Sequence, residues 1–167
     1  MTPPLFNLVL YQPQIPNNTG NIGRTCVAAG CRLHLIHPLG FDTSEKACRR
    51  AGLDYWPRLD LHEHESWERY VADAAPQRVW LFSTKASRDV YQADLRRGDA
   101  LVFGKETRGL PDSIVSAFPG RALRLPMMPD ERSLNLATVV CAAVYEGLRQ
   151  CVQRSELSIG SEGRIEL

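Results

Sequence analysis

The chain has 167 residues, 44% hydrophobic and 23% charged, a size that suits one domain with its own core and excludes a fragment that needs disulfides or metal to fold. The 20 Lys and Arg face 19 Asp and Glu, and a net charge of +1 excludes a protein that holds nucleic acid by bulk basicity, though not one with a local basic face. No run of ~18 apolar residues is present, and Met1-Thr2-Pro3-Pro4 lacks a charged and then apolar leader, so no membrane span and no signal peptide are expected.

In chain order, residues 5–10 predict a buried strand and residues 21–29 a helix, with Asn17, Asn18 and Thr19 as cap candidates and Gly30 as its stop. A second strand follows at 33–37 and ends at Pro38-Leu39-Gly40. Short helices are expected at 44–51, with Ser44 as N-cap, and at 66–74. Residues 78–83 and 100–103 read as strands of the continuous apolar kind found in covered parallel sheets. Pro111 opens a helix to 117, residues 122–125 form a fifth strand, and 134–150 form the longest helix. Alternating strands and helices predict an α/β fold with a mainly parallel sheet and flanking helices. Residues 1–152 are read as one domain and 153–167 as a flexible tail.

Five cysteines without CxxC spacing read as reduced thiols and a cytoplasmic setting, with Cys26 and Cys141 as small core residues. His62 and His64 lie in an acidic stretch and read as solvated, and no metal site is expected. Charge is uneven along the chain. Residues 54–75 hold Asp54, Asp60, Glu63, Glu65, Glu68 and Asp73 against Arg58 and Arg69, whereas the arginines concentrate elsewhere.

In such sheets ligands bind beyond the carboxyl ends of the strands, and three loops there stand out. The first, Pro16-Asn17-Asn18-Thr19-Gly20-Asn21-Ile22-Gly23-Arg24, is rich in amides and glycine and ends in a guanidinium suited to anions. The second, Phe103-Gly104-Lys105-Glu106-Thr107-Arg108-Gly109-Leu110-Pro111, has a glycine directly after a strand, where a missing side chain would let a ligand approach the backbone. The third runs from Leu125-Pro126-Met127-Met128-Pro129 to Arg132-Ser133-Leu134-Asn135-Leu136 and leads into the longest helix. No GxGxxG follows the first strand, and Glu106 stands where a Walker loop needs Ser or Thr, so the common dinucleotide and phosphate-loop fingerprints are absent.

In this order and spacing the three loops resemble the motifs of the SPOUT (α/β trefoil-knot) RNA 2′-O-methyltransferases over residues 5–150. Leu10-Tyr11-x-Pro13-x-Ile15-Pro16 and Arg50-Ala51-Gly52-Leu53-Asp54-Tyr55 are similar to the small family that modifies the tRNA wobble nucleotide, cytidine or uridine. The resemblance implies a deep C-terminal trefoil knot, S-adenosylmethionine as methyl donor, tRNA (chiefly leucine tRNAs) as substrate, and a homodimer. It implies a donor pocket at Phe82, Gly104, Leu125, Ser133 and Asn135. Arg24 becomes the leading catalytic candidate, with Asn21, Glu106 and Tyr145 behind it. A 2′-hydroxyl is a weak nucleophile, so a fixed cation that orients or stabilises its oxygen would help, whereas an arginine rarely gives up its proton. Other readings are a related enzyme acting on rRNA or another tRNA site, and a catalytically silent RNA-binding module. The apolar residues of the last helix, including Val139, Val140, Ala143 and Val144, cover more than one stripe and independently favour a partner subunit.

Overall fold

The computed structural model describes residues 3–50 and 52–166. Six parallel strands, β1 (Asn7–Tyr11), β2 (Arg32–Ile36), β3 (Leu61–His64), β4 (Val79–Phe82), β5 (Ala100–Phe103) and β6 (Ala122–Leu123), form one sheet in the order β3-β2-β1-β5-β4-β6. Helices α1 (Pro16–Ala29) and α5 (Leu136–Gln153) cover one face and pack on each other. On the other face Tyr70 of α3 (Trp67–Ala74) and Ile114 of α4 (Asp112–Ser116) join Val9, Ile36, Leu81 and Val102 in a second core. With both faces covered, β4 and β5 are buried at every position, which is why they read as unbroken apolar runs. Among the described residues no helix is long and apolar enough to cross a membrane.

The local signals place most boundaries well. Gly30 ends α1 in the left-handed conformation with φ 69°, where a side chain would be strained. Ser66 accepts the Arg69 N–H at 3.3 Å and caps α3. Ser44 accepts the Ala47 N–H at 3.3 Å ahead of α2 (Glu45–Arg50), although the predicted end of that helix, Ala51, lies outside the described residues.

Several expectations are corrected. α1 starts at Pro16, not Asn21, so Asn17, Asn18 and Thr19 are helical residues and not caps. Proline at the first helical position needs no N–H partner and has the helical φ already set. α4 starts one residue after Pro111, and β6 stops at Leu123. β3 is a strand the pattern did not predict, because Leu-His-Glu-His carries the polarity of a sheet edge. Cys26 is fully buried as expected, but Cys141 is only half-buried. α5 extends to Gln153, past the expected domain boundary. After it, β7 (Ser158–Ile159) and β8 (Ile165–Glu166) pair antiparallel where a loose tail was expected. Leu157 is buried, and Arg154 ties this segment down through Leu95 O and Glu156 Oε1.

His64 is also buried, contrary to its reading as a solvated side chain. Its Nε2 lies 2.9 Å from His34 Nδ1, and His34 Nε2 lies 3.3 Å from Asn7 Oδ1. His62 stacks beside His34 but stays at the surface, 2.8 Å from Asp60 Oδ1. Burial, reinforced by the neighbouring His64, His62 and Arg32 and opposed by Asp60, lowers the His34 pKa to about 3. Burial also lowers that of His64, against the pull of Asp73.

Candidate active site

Strand order reverses its direction of growth between β1 and β5, and the carboxyl ends of β1, β4, β5 and β6 open onto a cleft of about 690 Å³. That volume falls in the usual range for small-molecule sites. All three loops singled out from the sequence contribute to its wall.

The loops are stitched together by one polar chain. Glu106, after β5, accepts the Gln14 N–H at Oε2 (2.9 Å), and at Oε1 it accepts the Ile15 N–H (3.1 Å) and the Asn18 amide (3.2 Å). α1 has no side-chain cap of its own, so this carboxylate meets the free N–H groups and the positive end of its dipole. Asn18 Oδ1 accepts the Asn135 amide at 2.9 Å. Asn135 Oδ1 in turn accepts the Ala137 and Thr138 N–H groups at 2.9 and 3.3 Å, capping α5. Lys105 Nζ donates to Gln12 Oε1 and Thr107 Oγ1 to Gln14 Oε1, each at 2.8 Å. The sequence reading missed Asn18 as a site residue. Its amide lay in the Asn-Asn-Thr run, but only the fold shows that it bridges the second and third loops.

Phe82, Gly104, Leu125, Ser133, Asn135 and Glu106 all line the cleft. Phe82 is buried and stacks on Phe103, centroids 4.6 Å apart. Leu125 is half-buried, and Ser133 is exposed at the wall. Gly104 is buried, and its lack of a side chain is also required by the loop itself. A Cβ there would sit 2.1 Å from the Gly109 carbonyl carbon and 2.3 Å from the Leu110 nitrogen. The loop's own backbone, folded back onto Gly104, takes the space a side chain would need.

Arg24, Asn21 and Tyr145 do not line this cleft. Arg24 lies on the exposed side of α1, 4.4 Å above the Tyr55 ring and 3.7 Å from Asp54 Oδ1. Tyr55 is buried and donates its hydroxyl to Gly20 O; burial pushes its pKa up, and the nearby Arg24 cation opposes that rise. Asn21 borders a separate hollow between α1 and the segment around Thr43. Tyr145 projects from α5 at 49% exposure. Cations outnumber carboxylates in the cleft wall, with Lys85, Lys105, Arg108, Arg124 and Arg132 against Glu106 and Asp112, the last 3.8 Å from Lys85. Among the described residues no group of three or more His, Cys, Asp or Glu is placed to hold a metal ion.

Residues 5–145 match the model of the SpoU rRNA Methylase family. The chain is 47% identical over 147 residues to the tRNA (cytidine(34)-2′-O)-methyltransferase of Saccharophagus degradans, covering 87% of this chain and 96% of that protein. It is 45% identical over 147 residues to the enzyme of the same name from Escherichia coli strain K12, covering 87% and 94%. A solved structure described as giving insights into the 2-OH methylation of C/U34 on tRNA superposes with a TM-score of 0.82 at 47% identity, covering 92% of this chain and all of that one.

Proposed function

Because the chain belongs to the SpoU rRNA methylase family, we propose that it transfers a methyl group from S-adenosylmethionine to the 2′-oxygen of the wobble nucleotide, cytidine or uridine at position 34, of tRNA. The observation that carries this reading is the Glu106–Asn18–Asn135 chain, which joins all three motif loops around one cleft. Leucine tRNAs as acceptors, a cytoplasmic setting and the deep C-terminal knot belong to the same reading.

The cleft fits the donor in size and in its mixture of apolar walls (Phe82, Leu125) and polar loop groups (Ser133, Asn135). Once bound, S-adenosylmethionine supplies an activated methyl on a sulfonium. The protein's task is then alignment, since displacement requires the attacking oxygen in line with the methyl carbon. Glu106 serves that alignment and not proton transfer, because both its carboxylate oxygens are engaged at the start of α1. Asn135 has the same bracing character at α5. Arg24 is the group best suited to steady the oxygen or an adjacent phosphate. Since it lies outside its own chain's cleft, it would act at the cleft of a second copy. A homodimer formed through the exposed side of α1 and α5, with Tyr145, Ile15 and Leu134 as apolar contacts, would deliver it there.

Radiolabelled S-adenosylmethionine and tRNA from cells lacking this activity test the proposal. The wild-type chain should label the tRNA, and Gly104→Val should lose at least 100-fold of that rate (about 2.7 kcal/mol in barrier) because the loop can no longer fold onto itself. Donor binding without transfer to any tRNA would refute the assignment.

A further inference from the structure

The outer edge of the sheet at β6 carries arginines that the cleft's chemistry does not use. Trp80 of β4 is 2% exposed, and its Nε1–H donates to Asp99 Oδ2 at 2.8 Å. Asp99, itself buried, also accepts Arg78 Nε at 2.7 Å and the Arg96 N–H at 2.9 Å. The indole is therefore fixed, and the charge of Arg78 is met. Two further guanidiniums sit over the same ring, Arg121 at 4.7 Å and Arg88 at 5.4 Å from the centroid. Neither forms an ion pair among the described residues, in contrast to Arg78 with Asp94 and Asp99. Arg88 reaches a backbone oxygen, Gln92 O, and the Arg121 side chain makes no hydrogen bond among the described residues.

Arg124 extends this row. Arg121 and Arg124 flank β6, three residues of strand or roughly 10 Å apart. The Arg124 N–H donates to Arg88 O at 2.9 Å, and Arg124 O accepts the Val90 N–H at 2.9 Å, so the Arg88 segment is laced to the strand. Arg124 also lines the cleft and has no ion pair among the described residues. Unneutralised cations thus run along one edge of the sheet up to the cleft mouth. The Trp80 face holds Arg88 and Arg121, and Gln92 O also holds Arg88, which leaves their charge for an outside partner.

We propose that this β6 edge is a docking track for the phosphodiester backbone of the RNA substrate: Arg88 and Arg121, held over Trp80, each engage a phosphate, and Arg124 continues the path into the cleft. The inference rests on the RNA methyltransferase reading above. Guanidinium forks match phosphate oxygens, and continuity with the cleft favours the nucleic acid whose ribose must enter it over an acidic protein.

The test is tRNA binding by the Arg88→Ala/Arg121→Ala variant and by Arg121→Lys, across a salt titration, with S-adenosylmethionine binding measured in parallel. The double variant should bind tRNA about tenfold more weakly, and its log Kd against log salt slope should fall by about 1–2. The loss should fall on KM for tRNA, donor affinity should stay at the wild-type value, and Arg121→Lys should retain most of the binding. Should the double variant not fold, Arg121→Gln, which keeps the stack on Trp80, replaces it with an expected slope change of about 1. Wild-type binding and slope in a folded variant overturn the track while leaving the methyltransferase reading intact. Lost binding of polyglutamate with unchanged tRNA binding assigns the edge to an acidic protein and also overturns it. A wild-type chain that binds donor but neither binds nor methylates tRNA removes both.

Discussion

The two edges of the sheet are built on opposite electrostatic plans. At the β3 edge several charges have a neighbour of the other sign or a hydrogen-bond partner: Arg32 with Asp60 at 2.7 Å, His37 with Glu63 at 2.7 Å, and Glu63 also with Thr43 at 2.6 Å. Beneath them lie His34 and His64, both buried, and burial lowers the pKa of each. At the β6 edge Arg78, Arg88 and Arg121 stand over Trp80, and among the described residues Arg78 alone of the three forms an ion pair. One edge closes the sheet as a self-satisfied surface; the other leaves charge available next to the cleft. The net charge of +1 is the sum of these unlike regions and describes neither. Edge strands need some device to prevent further pairing, and here the same requirement is met by two chemistries with different consequences for binding.

Removing the anchor of the β6 edge should produce the largest effect. Asp99→Ala leaves the Trp80 N–H, the Arg96 N–H and the Arg78 guanidinium without their shared acceptor. A cost of about 3–5 kcal/mol is expected in chemical denaturation, because a partly buried charge loses its partner. A loss below about 1 kcal/mol, the value of an exposed pair, would mean that this edge is no better organised than an ordinary surface.

Mild acid should act on the other edge, with a smaller effect. The folded pKa of His34, about 3, lies below its unfolded value near 6.5, so the unfolded chain binds more protons throughout that window. Stability should therefore be complete above about pH 6.5 and fall as the pH drops, by about 2 kcal/mol at pH 5 from His34 alone. His64, also shifted down, adds in the same direction. The groups facing the pair are His62, Asp60, Arg32, Arg69, Tyr70 and Asp73. Denaturation midpoints of wild type and His34→Gln between pH 7 and 5 read this directly: the variant's pH slope should be shallower. Equal slopes would show that the buried histidines do not set the acid response.

The fold class and the cleft were legible from apolar runs and from three loops at strand ends, because a covered parallel strand and a turn that carries glycine each leave a local signature. Ser66 and Gly30 mark their helix ends through residues one turn away or less. What escaped depended on distant partners. The start of α1 is held by Glu106, which lies 88 residues from Asn18 along the chain, so nothing near Pro16 announces it. His64 looks solvated in its acidic stretch, but Tyr70 of α3 and His34 of β2, both distant in sequence or on another element, pack against it. Gly104 stands out in sequence as a glycine directly after a strand, but that its Cβ position is taken by Gly109 and Leu110 is visible only in the fold. Arg24 shows the opposite limit: its motif is plain in sequence, yet the single chain leaves it outside the cleft.

The central claim is that the cleft joined by Glu106, Asn18 and Asn135 methylates the 2′-oxygen at the wobble position. Mapping ribose methylation by mass spectrometry in tRNA from cells with and without this protein tests it most directly. The account predicts a 2′-O-methylated cytidine or uridine at position 34 that is present with the protein, absent without it, and not restored by Gly104→Val. Unmodified position 34 in the presence of active protein, or a methyl group that appears only at another site, would contradict it.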